Sequence, residues 1–341
     1  MTNFDTTFGV VVCTSPNDYL FAKGTCASIH YFMPDVSIAL LVDGNVDTKS
    51  LEQTYRVKVI RKHDINDPWL RQYSFGWGIT KMLAFWYAPF ERFLYLDSDT
   101  VIWGNIVNKL NLKNYDYITD IPFHGDKILT PDYVGTWFFE PSVIDTEFSE
   151  FPWRNYIHQY ACTGTFVTGR GVFDVQEYRE LLEFNERYPW TFKFGEMGLL
   201  NLMVFRAHDQ KKIKLGFADF QVIFPDFQIE ELRSRFQFKN NAPVVQADDI
   251  QVLHMPDKKP LVNSPHCYSL PMTYFRLKFL KDALGIIGDE AMTRLLQEDQ
   301  EYHQLRKQSL KLSRISKIKM LVTGHPGEWR RLIRRVCKLF T

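Results

Sequence analysis

The apolar run Phe93-Leu94-Tyr95-Leu96 stops at Asp97-Ser98-Asp99, two carboxylates one residue apart. Such a run reads as a buried strand with polar chain on either side. A buried strand ending in paired acids narrows the choice of fold, because open α/β sheets bind ligands at the carboxyl ends of their strands. In an extended stretch, Asp97 and Asp99 point to one face. Two such carboxylates suit a divalent cation that also takes water and phosphate oxygens, so a diphosphate is the ligand to expect. A solvated turn after a strand has the same spelling, and the rest of the chain has to separate the two readings.

The chain around the pair alternates. Phe8 to Cys13, Val36 to Val42, Val57 to Ile60 and Arg92 to Leu96 read as strands. Asp18 to Phe32 and Ile79 to Tyr87 read as helices, stopped near Pro34 and Pro89. Strand-helix-strand alternation predicts an α/β fold with a mostly parallel sheet. Residues 120–160 are rich in Pro, Asp and aromatics and read as irregular loops. Gly164 to Thr168 and Ile250 to His254 read as later strands, Val175 to Glu186 and Gly198 to Phe205 as helices. From Pro271 onward the chain is helical and then basic. The division expected is a catalytic domain over residues 1–270 and a helical region over 271–341. Aromatic residues make up 15% of the chain; cores use such rings more often than sugar clefts do.

The formal net charge of +1 conceals an asymmetry. From Arg306 to Thr341 there are eleven basic residues and one acid, Glu328, which leaves a net −9 on the first 305 residues. Within that tail, Trp329, Leu332, Ile333, Val336, Leu339 and Phe340 fall on one helical face, with Arg330, Arg331, Arg334, Arg335 and Lys338 on the rest. A basic amphipathic helix of this kind suits an anionic membrane surface, or else docks on the chain's own acidic body. No nucleic-acid partner is expected, because no reading module accompanies the charge. The five cysteines are scattered without metal-ligand spacing, which fits a reducing compartment. Residues Met1 to Asp5 are polar and do not read as a leader, and no run has the length of a membrane span. A cytoplasmic, peripherally membrane-associated protein is the expectation.

Further blocks carry the chemistry. Thr14-Ser15-Pro16-Asn17-Asp18-Tyr19 and then Lys23-Gly24 follow the first strand. Gly78-Ile79-Thr80-Lys81-Met82-Leu83 precedes the Asp pair by one helix and one strand. Gly164-Thr165-Phe166-Val167, Gly198-Leu199-Leu200-Asn201 and Val252-Leu253-His254 come later, in that order. Over residues 8–260 this series resembles glycosyltransferase family 8 and its glycogenin-like relatives, which have the GT-A fold. The resemblance implies a metal-dependent retaining hexosyltransferase. Its donor would be a nucleoside diphosphate sugar, a UDP-sugar above all, with Mn²⁺ as cofactor and Mg²⁺ as the alternative. The acceptor would be a glycan or a lipid-linked sugar. An inverting GT-A enzyme and a catalytically inactive sugar-nucleotide or membrane-binding module stay open as alternatives.

On that resemblance, Asp97 and Asp99 would hold the metal, and His254 would add a nitrogen ligand, which favours Mn²⁺ over Mg²⁺. Alone, His254 also fits a strand-end hydrogen-bonding role. Lys81 would neutralise the diphosphate, with Arg71 a weaker candidate for the same work; a Lys in such a place is otherwise a surface lysine. Lys258 and Lys259 follow His254, with Asp257 where the family has Gly and Leu261 where it has Trp. Ser98 lies between the metal acids. Thr14 and Tyr19 occupy the loop where such folds hold the base, and Tyr19 could stack on it or simply pack. Asp43-Gly44 reads as an ordinary turn. Two departures touch the sugar end. Cys162-Thr163-Gly164 stands where Asn-Ser-Gly is usual, and Glu196-Met197 stands for Asp-Gln. Glu196 keeps the carboxylate and is a candidate catalytic residue, the general base in the inverting alternative; otherwise it is a helix N-terminal acid. Asp120 is proposed for sugar hydroxyls on position alone.

Overall fold

The computed structural model describes residues 5–76, 78–110, 113–121 and 130–323. From the amino end, β1 (Phe8–Thr14), β2 (Ser37–Val42), β3 (Lys58–Ile60) and β4 (Arg92–Asp97) alternate with α1 (Tyr19–Phe32), α2 (Lys49–Tyr55), α3 (Pro68–Tyr73) and α4 (Ala84–Tyr87). A short strand, β5 (Thr100–Trp103), follows β4 directly, then β6 (Tyr117–Asp120), α5 (Pro131–Trp137), α6 (Pro141–Glu147) and β7 (Thr165–Gly169). Helices α7 (Val175–Arg187) and α8 (Glu196–Asp209) lead to β8 (Leu215–Ala218), β9 (Gln221–Ile223) and α9 (Ile229–Arg235). A hairpin of β10 (Phe238–Lys239) and β11 (Ala242–Pro243) precedes β12 (Gln251–His254) and α10 (Leu270–Leu284).

The main sheet has the order β3-β2-β1-β4-β7-β6-β8. All its pairings are parallel except those of β7, which runs antiparallel to β4 and β6. The expected mostly parallel α/β sheet is therefore present, with one reversed strand in its middle. A second sheet has the order β5-β12-β9. Because β4 and β5 are separated only by Ser98 and Asp99, the acidic turn is the joint between the two sheets.

The region 120–160 departs from its reading as loop. Thr130 caps α5 by accepting from Tyr133 N, and both α5 and α6 begin at a proline. Proline suits the first helical position because its missing N–H has no partner there anyway, so the same prolines that suggested loops start helices. Residues Ile79–Leu83 form a 3₁₀ turn leading into α4 rather than one continuous helix.

Burial absorbs most of the aromatic content. Tyr95, Tyr117 and Phe85 each stack on Phe166, with centroids 4.6, 5.3 and 5.5 Å away. Helix α10 packs against α1, and Gly24 allows that closeness, since a Cβ there would lie 2.5 Å from Met272 Sδ. The first compact unit consequently spans Met1–Met292, beyond the boundary at 270 read from the sequence. The second unit, Thr293–Thr341, holds most of a long helix, α11 (Gly288–Thr323). The amphipathic stretch Trp329 to Phe340 lies outside the described residues. Among the described residues, no helix is long and apolar enough to cross a membrane.

Candidate active site

Strand register brings the acidic turn and the histidine together. β12 runs antiparallel to β5 with His254 opposite Thr100, and Met255 N donates to Asp99 O (3.0 Å). His254 therefore ends its strand beside the turn. Its Nε2 lies 3.5 Å from Asp99 Oδ1 and 4.0 Å from Asp97 Oδ2. One ligand atom from each of the three residues falls within 4.8 Å of the others. Two carboxylate oxygens and an imidazole nitrogen form a donor set that suits Mn²⁺. Asp97 is the last residue of its strand and Asp99 lies in the turn, so a turn, rather than one extended face, aims the two carboxylates together.

Helix α1 holds that turn from below. Thr25 Oγ1 lies 2.6 Å from Ser98 O and 2.7 Å from Thr100 O, and Ile102 N donates to Ser28 Oγ (3.0 Å). Tyr95 donates its hydroxyl to Asp97 Oδ1 (2.6 Å).

Lys81 is 4% exposed, and its Nζ is met by Glu196 Oε1 at 2.7 Å, Asp97 Oδ1 at 3.0 Å and Thr163 O at 3.2 Å. Burial disfavours the ammonium, but Asp97 and Glu196 outweigh it and hold the pKa above that of an ordinary lysine. Lys259 pairs with Asp99 Oδ2. Burial would raise the Asp99 pKa, but Lys259 and His254 hold it below the usual carboxylate range. Burial would lower that of His254, yet Cys162 and Asp99 raise it to about 10.

Glu196 opens α8, where its charge meets the positive end of the helix dipole. Thr163 Oγ1 donates to Glu196 Oε1 (3.1 Å). Gly78, at φ 84°, leaves the space that Glu196 fills, since a Cβ there would lie 2.2 Å from Oε2. Asn201, one turn further along α8, accepts from Ala161 N (3.1 Å) and donates to Ala161 O (2.9 Å). That double clamp fixes Ala161, after which Cys162 meets His254, Thr163 meets Lys81 and Glu196, and Gly164 lies against the His254 ring as the chain enters β7.

These groups line a cavity of about 390 Å³ at the carboxyl ends of β1, β2 and β4. Of the residues named from the sequence, Thr14, Lys81, Asp97, Ser98, Asp99, Glu196 and Lys259 line it, and His254 lies behind Asp97 and Asp99. Four others do not line it. Tyr19 begins α1 and packs under Lys23, whose Nζ is 5.3 Å from its ring centre. Arg71 is exposed on α3, because its neighbour Leu70 takes the core-facing position. Asp120 is 2% exposed and caps the β8–β9 connection, accepting from Phe220 N and Gln221 N at 3.2 Å each. Lys258 faces a separate cavity of about 330 Å³ beside His266 and Tyr268.

Asp43 joins the site unannounced. Its Oδ2 accepts from Thr80 Oγ1 (2.9 Å) and Gly76 N (2.8 Å), tying the end of β2 to the loop that carries Lys81. The available signal was position, an acid at the carboxyl end of a parallel strand.

No family model and no curated protein sequence matches this chain. Solved structures do match. The galactosyltransferase LgtC, in complex with donor and acceptor sugar analogs, superposes with a TM-score of 0.50 at 13% identity, over 83% of this chain and 98% of that one. The glycosyltransferase GlyE of Streptococcus pneumoniae TIGR4 gives 0.50 at 13%, over 86% of this chain and 63% of that one. The bifunctional glycosyltransferase WbbM gives 0.52 at 10%, over 83% and 53%. At these identities the likeness is one of fold: the chain has a GT-A fold, a mostly parallel α/β sheet with a helical carboxyl-terminal region.

Proposed function

We propose that this chain is a metal-dependent glycosyltransferase that moves a sugar from a nucleoside diphosphate sugar, a UDP-sugar in our reading, to a glycan or lipid-linked acceptor with retention at the anomeric carbon. The observation that carries the proposal is the cluster of Asp97, Asp99 and His254, set beside buried Lys81 in a cavity at the sheet's carboxyl edge. The fold shared with LgtC, GlyE and WbbM is consistent with it.

Asp97, Asp99 and His254 would hold the divalent cation, Mn²⁺ in this reading. When bound, such an ion supplies Lewis-acid stabilisation of charge on a diphosphate. Lys81 and Lys259 add two cations along the same wall, placed where a leaving diphosphate gathers charge. Thr14, Ser15, Asn17 and Asp18 form the wall on the β1 side, where the nucleoside would lie. Glu196 bounds the sugar end. As the partner of Lys81 and Thr163, it serves as a fixed counter-charge rather than a free base, which is why we favour retention. Exposed Phe194, two residues before Glu196, stacks on exposed Trp137 with ring centres 4.8 Å apart, and such a pair suits the apolar face of a sugar ring. The basic tail would keep the enzyme on the cytoplasmic side of an anionic membrane.

The experiment is a screen of nucleotide sugars with Mn²⁺, reading released nucleotide and the anomer of the first product by NMR. Activity should vanish with EDTA and return with Mn²⁺. Asp97→Asn or Asp99→Asn should each cut turnover by at least about a hundredfold. Full activity in chelator would remove the metal reading, and an inverted product would remove retention alone.

A further inference from the structure

Cys162 occupies a place at the metal cluster that a carbonyl or carboxylate usually takes. Its Sγ lies 3.7 Å from His254 Nδ1, on the side of the ring away from the two aspartates. The His254 side chain is only 3% exposed, so the sulfur is its contact on that side in place of bulk water. The ring is also walled at Gly164, where a Cβ would lie 2.1 Å from Cε1. The ring thus fills the space a side chain at position 164 would take, with the sulfur and the carboxylates on opposite nitrogens.

An imidazole that binds a metal carries one N–H. For Nε2 to offer a lone pair to a cation, that hydrogen must sit on Nδ1 and donate to whatever faces it. Metal-bound histidines commonly donate this hydrogen to a carboxylate, a carbonyl or water, which fixes the tautomer and strengthens the ligand. Here the acceptor is a thiol sulfur, a weak one.

We infer that Cys162 is a positioning residue: by accepting from Nδ1–H it holds His254 in the tautomer that presents Nε2 to the metal, and it sets the grip of the site. The proposal rests on the metal reading given above. It places the departure from Asn at this position in the metal shell rather than in sugar recognition. Thr163 and Gly164 complete the segment, one holding Glu196 and the other leaving room for the ring.

The test uses the full chain and Mn²⁺ alone, read by electron paramagnetic resonance of free Mn²⁺. Cys162→Ala should weaken Mn²⁺ binding by about tenfold, the lower end for loss of an outer-shell partner. Cys162→Asn supplies a better acceptor and should bind Mn²⁺ at least as tightly as wild type. In a His254→Ala background, Cys162→Ala should change nothing further. Unchanged affinity in folded Cys162→Ala overturns the proposal while leaving the metal site standing. So does a full additional loss in the His254→Ala background. If Cys162→Ala does not fold, weaker Mn²⁺ binding by Cys162→Asn decides against it. A wild-type chain that binds no Mn²⁺ overturns this proposal and the metal reading together.

Discussion

Asp97 and Asp120 both end strands that run in the same direction, yet their surroundings differ. Asp97 remains 29% exposed to the cavity and is answered by Lys81 and Tyr95. Asp120 is enclosed, and accepts from two backbone N–H groups and from the Gln221 side-chain amide. Burial raises its pKa to about 7, against the lowering by Phe220 and Gln221. A carboxyl whose folded pKa is raised keeps its proton where the unfolded chain has lost it. Stability should therefore fall as pH rises from about 4 to about 7, by at most about 4 kcal/mol, and stay lower above that range. Asp120→Asn keeps an acceptor for both N–H groups and cannot ionise. The expected result is a higher Tm than wild type at pH 8, convergence near pH 4 and unchanged donor turnover. A large loss of turnover in that variant would return Asp120 to the sugar site. Position at a strand end was legible for both acids. Which way each side chain turned was not, because that depends on neighbours as remote in sequence as Phe220 and Lys81.

At the scale of elements, the Asp turn is held by α1 as well as by the strands beside it. Thr25→Val keeps the shape of the side chain and removes the donor from Ser98 O and Thr100 O. Urea denaturation should show a loss of about 1–3 kcal/mol, the cost of a buried carbonyl left unmet. On the proposed function, Mn²⁺ binding should weaken in the same variant, since the turn aims both Asp97 and Asp99. Strand β4 was readable because four apolar residues end in two acids, and β1 and β2 because their runs are equally plain. Strands β5, β8 and β9 were among those missed. At three or four residues each, they carry little pattern of their own and owe their form to pairing with β12 and β6. Likewise His254 was recognisable by its block, whereas its meeting with Asp99 is a product of the β5–β12 register. Cys162 and Thr163 registered in the sequence only as departures; their contacts with His254 and Glu196 required the reversed strand.

At the scale of the whole molecule, charge separates a basic tail from an acidic remainder. Each cation near an anionic surface contributes about 1 kcal/mol, and salt screens that contribution. Truncation after His325 should abolish co-sedimentation with phosphatidylserine vesicles and leave donor hydrolysis intact. Leu332→Glu with Leu339→Glu should weaken vesicle binding at any salt. A full-length chain that ignores such vesicles would end the membrane assignment. The reversed strand β7 has a consequence of another kind, in the timing of synthesis. It sits between β4 and β6, and β6 pairs only with β7 and β8. When β4 leaves the ribosome, its outer neighbour lies some 70 residues ahead. At ordinary translation speed that is roughly 4–14 s during which β4 presents an open edge, and β6, already made, has nothing to join. Open edges invite pairing with other chains, so the nascent protein passes through a vulnerable interval at the strand that ends in Asp97.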